Sequence, residues 1–302
     1  SKTAEIAKGN LDVSLPQSGR RDEVGDLTRS FDDMRVALKE YIADLTETTK
    51  AKERMESELK IARTIQMSFL PKRFPPFPHI EAFELHAALE PAWEVGGDLY
   101  DFFLLDDRHL FFSVGDVSGK GVPAALFMAV TKTLVKGIAE QDMDPSVILS
   151  KVNQELCIDN ESMLFVTMFC AILDIASGDL AFSNAGHNPP LVIPASGEPS
   201  WLELPKATFL GVIPEMAYKT AWTKLNPGDK LFVYTDGVTE AMDRQDRLYS
   251  SDRLFAEAEK LRKASAEDFD AGIMKSVHEY ADGAPPADDV TVLTLLYKGE
   301  KS

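Results

Sequence analysis

The chain has 302 residues, 44% of them hydrophobic, and 32 basic against 49 acidic side chains give a formal net charge of −17. That length allows one large domain or two smaller ones, and the apolar content excludes a globally disordered chain. With no basic stripe interleaved with aromatics, a nucleic-acid surface is excluded too. Cys157 and Cys170 show neither metal-ligand spacing nor a disulfide framework, as expected in a reducing compartment. No apolar run approaches the roughly 20 residues of a bilayer-spanning helix, and no signal peptide is expected. The chain opens in mid-pattern at Ser1, as a fragment of a longer protein would. Its acidic excess is either a solvated surface or a cation site, and position must decide which.

In chain order, "AEIAKGNLDVSL" predicts a short helix ending at Gly9 and an extended connector through Leu11, Val13 and Leu15. A second helix begins near "DEVGDL", where acidic side chains complement the positive end of the helix dipole. From there Val24, Leu27, Phe31, Met34, Leu38, Tyr41, Leu45, Thr48, Lys52, Met55, Leu59, Ala62, Gln66 and Phe69 recur in alternating steps of three and four. That is the seam of a left-handed coiled coil. With no glycine or proline between Gly25 and Pro71, the helix would reach about 70 Å at 1.5 Å per residue. A rod cannot bury its stripe against itself, so a parallel homodimer is expected. Thr48, Lys52 and Gln66 weaken the seam, and either fix its register or mark a stretch that shifts between packings.

The helix–connector–helix plan and the "DEVG…L…F..M" entry resemble the HAMP signalling module over residues 1–45, with its first helix truncated. The resemblance implies the cytoplasmic part of an inner-membrane receptor whose parent carries a membrane-spanning sensor. Residues 46–75 then form a coiled-coil signalling linker. "PKRFPPFPHI" stops the rod, since proline cannot continue a helix. A domain over 76–302 follows.

In that domain, strands are predicted at 80–89, 98–105, 109–115, 164–175, 179–184, 190–194, 217–225, 230–235 and 289–297. Helices are predicted at 122–141, 145–158, 251–263 and 266–281, with Asp144 and Ser265 as N-caps. Residues 106–108 and 176–179 read as hairpin connections. Strands come in runs rather than alternating with helices, which predicts an antiparallel α+β domain.

Acidic residues stand at the ends of these strands: Asp98 in "GGDLYD", Asp116 in "GDVSGKG", Asp236 in "YTDGVTEA", and Asp288 with Asp289 in "DDVTVL". One Asp-Gly is usually a turn. Four acidic strand ends that converged about 5 Å apart would repel by about 3 kcal/mol per pair at an effective dielectric near 20. Convergence therefore calls for a cation or for raised pKa values. An all-oxygen set suits Mg²⁺ or Mn²⁺ rather than zinc.

The ordered motifs "GGDLYD", "GDVSGKGVPAAL", "NAGHNPP", "YTDGVTEA" and "DDVTVL" resemble the SpoIIE/RsbU-type phosphatases, a branch of the PPM metal-dependent protein serine/threonine phosphatases. The likeness extends over residues 61–297, "IARTIQMSFLP" resembling the family's linker helix. It implies a β-sandwich flanked by helices, with two Mn²⁺ or Mg²⁺ ions at one end. Asp98, Asp116, Asp236 and Asp288 would be ligands, with the Val117 carbonyl and with Asp289 as the alternative to Asp288. The implied reaction is hydrolysis of phosphoserine or phosphothreonine by water held between the ions, on a phosphorylated STAS-domain (anti-anti-sigma-like) protein.

The chain departs from eukaryotic relatives in lacking a histidine after the second motif, and a phosphate-gripping arginine upstream of Asp98. Lys120 either positions phosphate or is a solvated loop lysine, and His187 is either a hairpin and core residue or catalytic. Asp101 either orients a metal-bound water or serves a turn. "GGDLYDFF" has Leu99 where diguanylate cyclases need an acid, and "SGKG" lacks the serine or threonine of a P-loop. The rival reading is a phosphatase-like scaffold that binds a partner without catalysis. Aspartate at every expected position weighs against it.

Overall fold

Local sequence rules account for the boundaries of most elements. In this computed structural model residues 2–14 and 22–299 are described, and the chain divides by internal packing into units 1–61 and 62–302.

The first unit holds α1 (Lys2–Ile6) and the larger part of α2 (Glu23–Phe69), which begins with Glu23 and Asp26 in its first turn and whose last residues belong to the second unit. The connector residues Leu11 and Asp12 meet α2 through polar contacts. Arg35 Nη1 donates to the Leu11 carbonyl at 2.6 Å, and Lys39 pairs with Asp12 at 2.6 Å. Leu15 of the expected connector lies outside the described residues. The predicted seam side chains Val24, Leu27, Met34, Leu38, Tyr41, Leu45 and Met55 are all exposed.

The second unit is a sandwich of two five-stranded antiparallel sheets. Its strands are β1 (Phe83–Glu90), β2 (Leu99–Leu104), β3 (His109–Val117), β4 (Val166–Asp174), β5 (Asp179–Ala185), β6 (Leu191–Ile193), β7 (Ser200–Trp201), β8 (Ala221–Lys224), β9 (Lys230–Tyr234) and β10 (Val290–Tyr297). One sheet runs β1-β10-β9-β6-β7 and the other β2-β3-β4-β5-β8. Its helices are α3 (Val122–Ala139), α4 (Pro145–Cys157), the four-residue α5 (Asp236–Thr239), α6 (Ser250–Lys260) and α7 (Ala266–Ala281). The predicted caps form: Asp144 accepts from the Ser146 N–H and Ser265 from the Asp268 N–H.

Period-two patterning fills the space between the sheets with Phe112, Phe169, Leu85 and Leu293, while Phe111, on the opposite face of β3, stacks on Phe103 beneath α3. A second core, built on Phe232, Phe269, Ile273 and Leu254, seals α6 and α7 to the outer face of the β9–β10 sheet. The layers therefore run helix, sheet, sheet, helix, the α+β sandwich expected.

The expectation of no membrane-length apolar helix needs correcting at α3. Its 18 residues have a mean hydropathy of 1.4, enough by length and composition to cross a bilayer. The physical reason is that it is apolar on two faces. Ala124, Met128, Val135 and Ala139 are buried, while Val122, Leu126 and Val130 face outward.

Candidate metal centre

Each sheet delivers two aspartates to one end of the sandwich. Asp98 directly precedes β2 and Asp116 lies in the last turn of the pleat of β3, opposite Thr167 on β4. Asp236 follows β9, where "TDG" opens α5 rather than ending a strand, and Asp288 stands just before β10.

Asp98 is almost fully buried, and its Oδ2 accepts from the Thr235 hydroxyl at 2.8 Å and from the Thr291 hydroxyl. Both threonines belong to the other sheet's strand ends, so Asp98 stitches the two sheets together. Asp116 stands close enough to Asp98 for the two carboxylates to act on one another directly. Gly97 faces the Val117 carbonyl: a Cβ there would stand 2.6 Å from that oxygen, so only glycine allows the approach.

Electrostatics draw the aspartates into one system. Burial, then the charges of Asp116 and Asp289, raises the Asp98 pKa well above the usual carboxylate range. Asp116 is pushed up to about 7, first by burial and then by Asp236 and Asp288. Asp236 is raised by burial, Glu240 and Asp288. Near neutral pH such a cluster is stable only with a proton or a cation among its oxygens.

Among the described residues no three acidic, histidine or cysteine side chains close around a single point. The donors stand instead as neighbouring pairs beside a backbone carbonyl. That arrangement fits ions such as Mg²⁺, which keep several waters and take few carboxylates each. It does not fit a closed protein cage.

The adjacent Asp289 is differently placed. Its carboxylate accepts from the backbone N–H groups of Ala92 (2.8 Å), Gly97 (2.9 Å) and Asp98 (3.4 Å). Lys120 donates to the Ala287 carbonyl at 2.6 Å and lies 3.6 Å from Asp288 Oδ2. It is thus tied to the loop that carries Asp288. Asp101 is buried in an ion pair with Lys132 of α3 and also accepts from the Phe102 N–H. His187 is buried with Nδ1 2.9 Å from the Thr167 hydroxyl, and burial lowers its pKa to about 4. It stays neutral and sits in the β5–β6 connection, with its carbonyl bonded to Asn184.

Three participants have no sequence signal read in advance. Thr235 and Thr291 stand inside "YTDG" and "DDVT", beside the acids that drew attention. Gln66, counted on the coiled-coil seam, is buried: its Nε2 donates to the Gly96 carbonyl at 2.5 Å and its Oε1 accepts from the Gly96 N–H at 3.2 Å.

With this geometry in hand, the similarities of the chain are informative. Residues 106–298 match the Stage II sporulation protein E (SpoIIE) family. The chain belongs to the SpoIIE family. Residues 1–40 match the HAMP domain, so the chain joins a HAMP module to a SpoIIE-type protein serine/threonine phosphatase domain. It is 30% identical to Protein IcfG of Synechocystis sp., over 96% of this chain and 49% of that protein. It is 28% identical to phosphoserine phosphatase RsbU of Bacillus subtilis, over 81% of this chain and 71% of that protein. Relative to IcfG, then, the chain spans about half the length. The SiaA PP2C domain of Pseudomonas aeruginosa shares the fold, with a TM-score of 0.73, 21% identity, and coverage of 83% of this chain and 99% of that one.

Proposed function

We propose that this chain is a metal-dependent phosphatase that hydrolyses phosphoserine or phosphothreonine on a STAS-domain protein, governed through a dimeric HAMP and coiled-coil segment. The HAMP module occupies 1–45, the signalling linker 46–75 and the catalytic domain 76–302, and the parent protein is a receptor with its sensor in the membrane. One observation carries the reading: Asp98 and Asp116 at strand ends of one sheet and Asp236 and Asp288 at strand ends of the other stand at the same end of the sandwich, where Gly97 leaves the Val117 carbonyl open.

Asp98, Asp116, Asp236, Asp288 and the Val117 carbonyl would hold two Mn²⁺ or Mg²⁺ ions. When bound, the ions would lower the pKa of the attacking water and offset charge on the phosphoryl oxygens. Thr235 and Thr291 fix one oxygen of Asp98, which locks its rotamer without a counter-charge. Lys120 orients the loop before Asp288 and places a positive charge where a phosphate would approach.

Regulation enters through the end of α2. Gln66 grips both backbone groups of Gly96, two residues before Asp98, so a rearrangement of the linker helix would be passed to the metal centre. Lys132 ties α3 to β2 through Asp101 and offers a second route.

The test is hydrolysis of a phosphorylated STAS protein in Mn²⁺ or Mg²⁺. Turnover should vanish with chelator, and Asp236→Asn should lower kcat by more than about 100-fold, beyond what loss of an outer-shell partner costs. Activity that survives chelation overturns the reading. Tight binding of the phosphoprotein without turnover in either metal would favour the scaffold alternative.

A further inference from the structure

We propose that Asp289 is a positioning residue and not a metal ligand: its carboxylate gathers the backbone of residues 92–98 and thereby sets where Asp98 stands. The inference rests on the phosphatase reading above, and it decides between two adjacent aspartates that the motif "DDVT" leaves equivalent.

Three observations carry it. First, the two side chains lie in different surroundings just before β10. The Asp288 side chain is 44% exposed, toward Lys120, whereas Asp289 is 4% exposed. Second, the Asp289 carboxylate is already engaged. Oδ1 accepts from Ala92, and Oδ2 accepts from Gly97 and more weakly from Asp98. A carboxylate offers about four acceptor sites, so little remains for an ion, and N–H bonds to a charged acceptor are the stronger kind. Third, the packing around it leaves no slack. A Cβ on Gly96 would lie 1.8 Å from Asp289 Oδ2, and one on Gly237 would lie 2.0 Å from the Asp289 carbonyl oxygen.

The "GGD", "TDG" and "DDVT" motifs therefore meet at Asp289. Its side chain holds the first, its backbone abuts the second, and the Thr235 hydroxyl is within 3.5 Å of its carbonyl. With Gln66 holding the backbone groups of Gly96, the approach to Asp98 is fixed from both sides. Asparagine at 289 would turn one acceptor oxygen into an NH₂ donor facing a backbone N–H, so the loop would loosen while the volume stayed the same.

Mn²⁺ titration calorimetry on the full chain tests this, comparing wild type, Asp289→Asn and Asp288→Asn. Asp289→Asn should keep the wild-type number of ions and bind them about 10- to 100-fold more weakly, as losses of outer-shell partners do. Its kcat should return to near the wild-type value at saturating Mn²⁺, with KM for substrate unchanged. Asp288→Asn should lose an ion or stay inactive at any Mn²⁺ concentration. Loss of an ion in Asp289→Asn would make it a ligand, and unchanged affinity would make the loop contacts irrelevant; either overturns the proposal. If Asp289→Asn does not fold, hydrogen exchange on the metal-free wild type decides. The Ala92 and Gly97 amides should be protected, and rapid exchange at both overturns the inference. Unaltered Mn²⁺ binding in both Asp288→Asn and Asp98→Asn would instead sink the metal-centre reading itself.

Discussion

The long helix α2 and the sandwich use the same apolar residue types to opposite effect. Along α2, Leu27 is 70% exposed, Tyr41 65% and Met55 62%, while Phe111, Phe112 and Phe169 of the sandwich are wholly buried. The helix repeats its stripe every three or four residues, and among the described residues most of that stripe is left exposed. The sandwich repeats every second residue, and each strand's inner face meets another sheet or a helix. Stability in the sandwich is thus internal to the chain. If the stripe of α2 pairs with a second copy, as proposed, stability along the rod would depend on protein concentration.

Paired truncations would break this comparison most sharply. Phe169→Ala removes a ring that stacks on Phe182 and packs near Phe112, and should cost about 3–5 kcal/mol in denaturant unfolding of the sandwich. Leu45→Ala should shift that same transition by less than about 0.5 kcal/mol. It should instead weaken self-association, read by sedimentation equilibrium. If Leu45→Ala left the oligomeric state intact, the seam would not be the dimer interface.

A pH series sharpens the sandwich side. The folded-state pKa of His187 is about 4 against an ordinary 6.5, because burial disfavours its charged form. Its stabilising contribution is therefore complete above pH 6.5 and is lost as pH falls toward 4, by at most roughly 3 kcal/mol. Asp116 and Asp270, raised to about 7 and about 6, act in the opposite sense over much of that window. The informative quantity is thus the difference between wild type and His187→Gln in Tm at pH 5 and pH 7.5. The variant should lose less stability on acidification, and equal losses would count against a buried neutral imidazole. The smallest effect is expected from Ser265→Ala, which removes the cap of α7 and should cost about 1 kcal/mol, seen as a modest drop in Tm.

The strands and helices of the sandwich were legible because each carries its own periodicity, and α4 and α7 also carry their own side-chain caps. The strand β7, two residues at a sheet edge, carries too little pattern to be read, and the predicted 217–225 strand shrinks to Ala221–Lys224. Strand order is a different matter. Phe83 pairs with Tyr297 across more than two hundred residues, and nothing in either segment's alternation names the other. The same divide runs through the site. Asp98, Asp116, Asp236 and Asp288 stand out because acids at apolar strand ends are locally odd. Thr235, Thr291 and Gln66 are locally ordinary, and their parts depend on which strand end folds beside which.

Gln66 occupies a position that heptad counting assigns to the seam, yet its amide is committed inside the catalytic domain to Gly96. One side chain cannot serve both addresses at once. A coiled coil zipping toward the domain would have to stop short of this residue or dislodge it. With the proposed coiled coil, the final heptad would work as an exclusive choice between two addresses rather than as a graded spring.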